Sequence, residues 1–155
     1  MAERASAVYA ERLGELGLDV AVREFPEGTH TAQEAADAIG CPVAAIVKSL
    51  VFTLDGDPIL VLVSGSNRVD VEALGDRLGG RLGKADARLV KEATGFSIGA
   101  VPPLAHATEL RTVVDEDLLA REVAWAAAGS ASSVFAIDPR RLAELAGGEV
   151  VRVTS

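Results

Sequence analysis

The chain has a single cysteine, Cys41, which excludes an internal disulfide and suits a reducing compartment. Its two histidines, His30 and His106, stand at no metal-ligand spacing with Cys41 or a carboxylate, which argues against a zinc site. Aromatic residues are scarce, at 4%, within an apolar share of 49%, so the core has to be assembled from Val, Leu, Ala and Ile. No apolar run reaches the roughly 18 residues of a membrane span, and the N-terminal stretch from Met1 to Ser6 lacks the apolar core of a signal peptide. Positive charge is also short. A formal net charge of −8 argues against gripping nucleic acid over a broad surface, because that affinity comes from neutralising phosphates. These absences predict a soluble, cytoplasmic protein with no membrane partner, no metal and no cofactor.

At 155 residues the chain is expected to form one domain, 1–155, with a core that needs no staples. Ala5, Val8, Tyr9, Leu13 and Leu16 share one face of a predicted helix over Ala2–Gly17. A strand is predicted over Leu18–Phe25. Thr31-Ala-Gln-Glu34 reads as a capping box that opens a second helix, and Gly40 stops it. A brief helix starts at Pro42, followed by strands over Ile46–Leu54 and Ile59–Val63. The turn Asp55-Gly56-Asp57-Pro58 joins those two strands as a hairpin. Helices over Asp70–Leu78 and Ala85–Glu92 follow, then a glycine-rich loop, Thr94–Pro103. Strands are predicted at Thr112–Val114, Glu122–Ala127 and Ser133–Ile137, a helix at Arg140–Ala146 behind Asp138-Pro139, and a last strand at Val150–Val153. Strands this numerous and hairpin-like predict a mixed α/β (α+β) domain with a curved, mostly antiparallel sheet flanked by helices.

One charge stands out. Lys48 is the only charged residue between Cys41 and Leu54, and lysine is rare here, three against twelve arginines. An ammonium on so apolar a strand is costly to bury unless it is paired or used. A plain alternative is an edge-strand lysine that snorkels to water and keeps a sticky segment soluble. The basic residues Arg68, Arg77, Arg81, Lys84, Arg88 and Lys91 outnumber the acids between them, Asp70, Glu72, Asp76 and Asp86. That local excess suits an anionic partner or an ordinary solvated face.

Other constellations fall away on inspection. Gly79–Ala85 resembles a phosphate loop but has the wrong glycine spacing, and Ala85 stands where magnesium would need a hydroxyl. Cys41 before Pro42 in an apolar stretch reads as a buried structural thiol. Ser64-Gly65-Ser66 lacks the flanking glycines of a nucleophile elbow. Thr94-Gly-Phe-Ser-Ile-Gly-Ala-Val-Pro-Pro103 carries more weight. Its glycines let backbone approach a ligand and its prolines hold the loop in one shape; the alternative is a structural crossover plugged by Phe96, Ile98 and Val101.

Taken in order, these features resemble a known family. They are Thr31-Ala-x-x-Ala-Ala36, Ile46-Val-Lys48-Ser-Leu-Val-Phe52, the polar Ser64–Asp70 segment, Gly95-Phe-x-x-Gly99-x-x-x-Pro103, and Ala128-Gly129 followed by Asp138-Pro-x-x-Leu142. From about Val20 to the C-terminus the chain is similar to the YbaK/prolyl-tRNA-synthetase-associated editing domains. The resemblance implies a trans-editing aminoacyl-tRNA deacylase that hydrolyses the ester of a mischarged tRNA. Its partners would be the acceptor end of mischarged aminoacyl-tRNA and an aminoacyl-tRNA synthetase. It implies Lys48 as the key site residue and Gly95, Gly99, Ala100 and Pro103 as pocket residues. Asn67, Asp70, Gly129 and Ser130 are further substrate-binding candidates. This chain departs from the family in having Gly99-Ala100 where two adjacent glycines are common.

Such an enzyme answers a physical limit. A synthetase pocket rejects a slightly smaller amino acid by only about 1–3 kcal/mol, so a second, sieving site has to remove the errors. The expected mechanism uses Lys48 to hold the ester carbonyl or terminal phosphate, backbone N–H groups near Gly99 and Ala100 as oxyanion donors, and the substrate's ribose hydroxyl to orient the water. Arg68–Lys91 would guide the acceptor end. The competing expectation is a non-catalytic module that binds a small molecule, nucleotide or partner in the same pocket.

Overall fold

The structure is a computed structural model that describes residues 2–18, 20–25, 31–98, 100–104, 106, 109–130 and 132–155. Helix α1 (Ala2–Glu15) is followed by strand β1 (Val22–Glu24) and helix α2 (Ala32–Ile39). A 3-10 turn (Val43–Ala45) leads into the hairpin of β2 (Val47–Leu54) and β3 (Asp57–Ser64). Next come α3 (Val71–Leu78), β4 (Leu82–Lys84), α4 (Ala87–Thr94) and β5 (Arg111–Asp115). A second 3-10 turn (Glu116–Ala120), β6 (Ala124–Ala127), β7 (Ser133–Ile137), α5 (Pro139–Ala146) and β8 (Glu149–Val151) complete the chain.

The expected mixed α/β, mostly antiparallel architecture is present, with the strands divided between two sheets. One has the order β1-β7-β6 and is antiparallel throughout. The other has the order β4-β2-β3-β5-β8, antiparallel over β4-β2-β3 and parallel over β3-β5-β8. A single bridge between Ile46 and Trp125 links them.

Local chemistry accounts for most boundaries. Thr31 caps α2 by accepting from the Glu34 N–H, and Gly40 ends it in the left-handed conformation. Asp70, Asp86 and Asp138 cap α3, α4 and α5 in the same way. The two-residue turn of the hairpin takes positive φ at both Asp55 and Gly56, which matches the twist of the strands it joins.

Two expectations need correcting, and two elements were not foreseen. The strand over Leu18–Phe25 shrinks to β1, because its partner on β7 runs only from Ser133 to Phe135. Of the helical face expected on α1, Tyr9 and Leu13 are buried, whereas Val8 and Leu16 flank that narrow stripe and are exposed. Strand β4 was not expected; three residues around Gly83 carry no periodic signal, and pairing with Phe52–Leu54 of β2 creates it. The 3-10 turn at Glu116–Ala120 was equally hidden, since it is set by the Asp115 side chain accepting from the Asp117 N–H.

Strand β3 reads as an unbroken apolar run because both of its faces are covered. On one face Leu60 and Leu62 join Val47, Val114, Tyr9, Leu13, Phe135 and Leu142 in a core shared with α1, α5 and the three-stranded sheet. On the other, Ile59, Val61 and Val63 pack with Phe52, Val113, Leu74 of α3 and Val153.

Tyr9 ties the glycine-rich loop to this core. Its ring meets Phe96 edge-on at 6.1 Å and Phe135 at 5.9 Å, and its buried hydroxyl donates to the Leu104 carbonyl at 2.9 Å. Burial raises the Tyr9 pKa well above its ordinary value, so the hydroxyl remains a donor. Tyr9→Phe keeps the packing but orphans the Leu104 carbonyl. It is expected to cost about 1–3 kcal/mol in a denaturant titration, and an unchanged midpoint would contradict the pinning role.

Candidate active site

Strand β4 covers only Phe52–Leu54 of β2, so among the described residues no strand pairs along that edge over Val47–Val51. The three-stranded sheet approaches there, through the Ile46–Trp125 bridge. A cavity of about 310 Å³ opens between them, with Lys48 and Ser49 of β2, Thr31 and Ala35 at the start of α2, and Trp125 and Ala127 of β6 in its wall. Ile98 and Val101 of the glycine-rich loop and Ser130 and Ser133 line it too. The structure therefore brings the lysine strand and the loop to one hollow. A larger hollow of about 640 Å³ lies among Arg12, Glu15, Phe96 and His106 and does not include Lys48.

Lys48 is half-buried, and its Nζ donates to the Asn67 carbonyl at 2.5 Å. An ammonium has three N–H donors, which leaves two for a ligand. Burial lowers the Lys48 pKa, the nearby Arg68 guanidinium lowers it further, and the Asp115 carboxylate works in the opposite direction.

The carbonyl that receives this bond is itself fixed. Asp115 is buried at the end of β5. Its Oδ2 accepts from the Ser64 N–H at 3.0 Å and from Asn67 Nδ2 at 2.9 Å, while its Oδ1 accepts from the Asp117 N–H at 3.0 Å. Asn67 Nδ2 also donates to Asp117 Oδ2 at 2.7 Å. The turn between Ser64 and Asn67 is closed by the Asn67 N–H donating to the Ser64 carbonyl. Its Gly65 lies so close to the Val43 carbonyl that a Cβ there has no room. Ser64 Oγ donates to the Ala44 carbonyl at 2.7 Å and completes the anchor.

Ser49 adds a different signal. Its Oγ is buried in the cavity wall without a hydrogen-bond partner among the described residues. A hydroxyl left so costs about 1–3 kcal/mol.

The sequence-derived candidates divide. Lys48 and Ser130 line the cavity, and Asn67 holds Lys48 through its backbone. Gly95 is the left-handed cap of α4 and borders the larger hollow. Asp70 is occupied as the cap of α3 and by the Ser155 hydroxyl at 2.5 Å. Gly99 lies outside the described residues. The Ala100 N–H donates to the Ser97 carbonyl at 2.9 Å, so it is engaged in a turn rather than directed at a ligand. Pro103 and Gly129 are not in the cavity wall. Of the basic segment, Arg68 stands by Lys48. Arg77 binds the Arg152 and Thr154 carbonyls, Arg88 pairs with Glu92, and Lys91 caps α4 at the Gly95 carbonyl. Sequence reasoning missed Asp115, Asp117, Ser49 and Trp125. Each matters only through neighbours distant in the chain.

Comparison with known proteins identifies the family. The profile of the aminoacyl-tRNA editing domain matches residues 26–145, and the chain belongs to that family. An uncharacterized Bacillus subtilis protein, YwhH, is 29% identical over 130 residues, covering 83% of each chain. The proline–tRNA ligase of Maridesulfovibrio salexigens is 35% identical over 101 residues, which is 64% of this chain but only 17% of the ligase. A crystal structure of a proposed trans-editing enzyme for prolyl-tRNA synthetase superposes with a TM-score of 0.92 at 40% identity, covering 97% of both chains.

The lowered Lys48 pKa makes stability depend on pH. Between the folded value and the ordinary lysine value of 10.5 the unfolded chain binds more protons, so stability rises with pH across that interval. Below it the cost of burying the charge is fully expressed. The stability of Lys48→Met minus that of the parent is therefore expected to fall as pH climbs toward 10.5. A difference that stays level across that range, measured by urea unfolding, would contradict the burial cost.

Proposed function

We propose that this chain is an aminoacyl-tRNA deacylase that hydrolyses the ester of mischarged tRNA, acting in trans to a synthetase of the prolyl type. The observation that carries this reading is Lys48, held at the mouth of an apolar cavity by a carbonyl that a buried carboxylate keeps in place. Family membership and the likeness to a proposed trans-editing enzyme support it.

In the proposed reaction a water attacks the ester carbonyl carbon, and the bond to the ribose oxygen breaks. The water's proton passes to that oxygen, releasing the amino acid and a tRNA with a free terminal hydroxyl. The two remaining N–H donors of Lys48 face the carbonyl oxygen as it becomes an oxyanion. A fixed cation in a water-poor cavity is worth far more there than in bulk solvent. With the Ala100 N–H already engaged, this task rests on the lysine rather than on that backbone donor. Among the described residues no histidine lines the cavity, and the proposed reaction uses the substrate's vicinal ribose hydroxyl to orient the water. The walls contributed by Ala32, Ala35 and Ala127 leave space for a small aminoacyl side chain, as a sieve requires. Ser130 supplies a polar contact to the aminoacyl group or the ribose.

The test is a panel of Ala-, Ser-, Cys- and Thr-charged tRNAs. The parent protein is expected to deacylate at least one, and Lys48→Ala to lower that rate by about 10²–10³-fold, the loss typical of an oxyanion donor, while remaining folded. A parent that leaves the whole panel intact would make the chain a binding module. A variant that is as active as the parent would reduce Lys48 to an edge-strand lysine.

A further inference from the structure

The outer face of the three-stranded sheet carries a feature that the hydrolytic site does not use. Pairing places Arg23 of β1 opposite Val134 of β7, and Val134 opposite Ala127 of β6. Cross-strand partners share a face, so Arg23 stands on the face that forms the cavity wall with Val134, Ala127 and Trp125. Phe25 follows two residues on, with the same parity. The Arg23 guanidinium lies 5.6 Å from the Phe25 ring centre and 5.5 Å from that of Trp125. Three flat groups thus form a ledge that runs from solvent to the cavity rim.

Two details set this ledge apart from ordinary surface. The chain has one tryptophan and four phenylalanines in all, yet two of these five rings flank a single exposed arginine. In a chain with a net charge of −8, cations also gather round this cavity. Lys48 and Arg68 stand on one side; on the other, Arg23 and Arg121 both lie near Cys41, a neighbour of Trp125 in a small apolar cluster. Among the described residues no ion pair involves Arg23 or Arg121.

We propose that this ledge is the docking surface for the unpaired nucleotides that precede the ester-bearing nucleotide of the substrate. This rests on the deacylase reading and assigns the tRNA contact to Arg23, Phe25 and Trp125 rather than to Arg77, Arg88 and Lys91, whose side chains have local partners. Unpaired bases stack on aromatic and guanidinium planes whatever their sequence, and cations along the track meet the phosphates. A nucleotide chain lying on the ledge would deliver its last residue over Trp125 into the cavity beside Lys48. A base-paired end presents no free base faces and would not stack there.

Trp125 is the only tryptophan, so its fluorescence reports the ledge directly. The probe is a four-nucleotide single strand ending in CCA and carrying no aminoacyl group, titrated into the intact protein, with a blunt-ended hairpin duplex at the same phosphate concentration as control. Saturable quenching by the single strand, weaker quenching by the duplex and a fall in affinity with added salt are expected. In Arg23→Ala the binding midpoint, rather than the signal size, should move by about tenfold or more. No quenching, equal quenching by the duplex, or an unmoved midpoint in Arg23→Ala would overturn the ledge. Because the probe carries no ester, the outcome is independent of hydrolysis. Deacylation without quenching overturns the ledge alone, and quenching without deacylation overturns the hydrolase reading alone.

Discussion

The site depends on how one buried carboxylate spends its hydrogen bonds. Asp115 gathers the Ser64 N–H, the Asn67 side-chain amide and the Asp117 N–H, and so sets the turn that follows β3. That turn aims the Asn67 carbonyl at Lys48. An acceptor free to swing would let the ammonium relax into water. A fixed one keeps it at the cavity, where its charge is costly at rest and useful to a developing oxyanion. The path runs from β5 through the β3 turn to β2, three neighbouring strands of one sheet, so the rigidity of the sheet is passed to the Lys48 ammonium.

The same sheet explains why the cavity exists. Strand β4 is too short to cover all of β2, and the uncovered edge meets a second sheet joined to it at one bridge. The core behind this junction is aliphatic apart from Tyr9 and Phe135, with Phe96 packed at its margin, and those rings hold α1, β7 and the glycine-rich loop together. Small side chains at Ala32, Ala35 and Ala127 leave the hollow open. The cavity, with the lysine and the loop in its wall, is thus a consequence of where two sheets fail to merge.

Much of this was legible from the chain. Two helix starts followed from single capping side chains, Thr31 and Asp138, whose partners are two or three residues away, whereas Asp70, expected in the pocket, proved to be a cap of the same kind. The hairpin followed from Asp55-Gly56, and Lys48 from its isolation in apolar surroundings. What escaped notice has a shared cause. Strand β4 is made by pairing, not by propensity. Asp115 looks like any strand-end acid until Asn67, 48 positions earlier, is brought against it. Ser49 is inconspicuous until its hydroxyl proves unpartnered. Within the basic run at Arg68–Lys91, residues close in sequence divide in space: Arg77 and Lys91 bind nearby carbonyls and Arg88 pairs with Glu92, whereas Arg68 stands by Lys48. Function here is a property of long-range contacts, whereas secondary structure is mostly a property of short-range ones.

The central claim is that Lys48 faces the reacting ester. A crystal structure with a non-hydrolysable aminoacyl-adenosine analogue, an amide in place of the ester, tests it most directly. The account predicts the analogue in the cavity between β2 and β6, with Lys48 Nζ about 2.7–3.2 Å from its carbonyl or phosphate oxygen and still bonded to Asn67. An analogue seated in the hollow beside His106, or one that occupies the predicted cavity while Lys48 points away from it, would contradict the account.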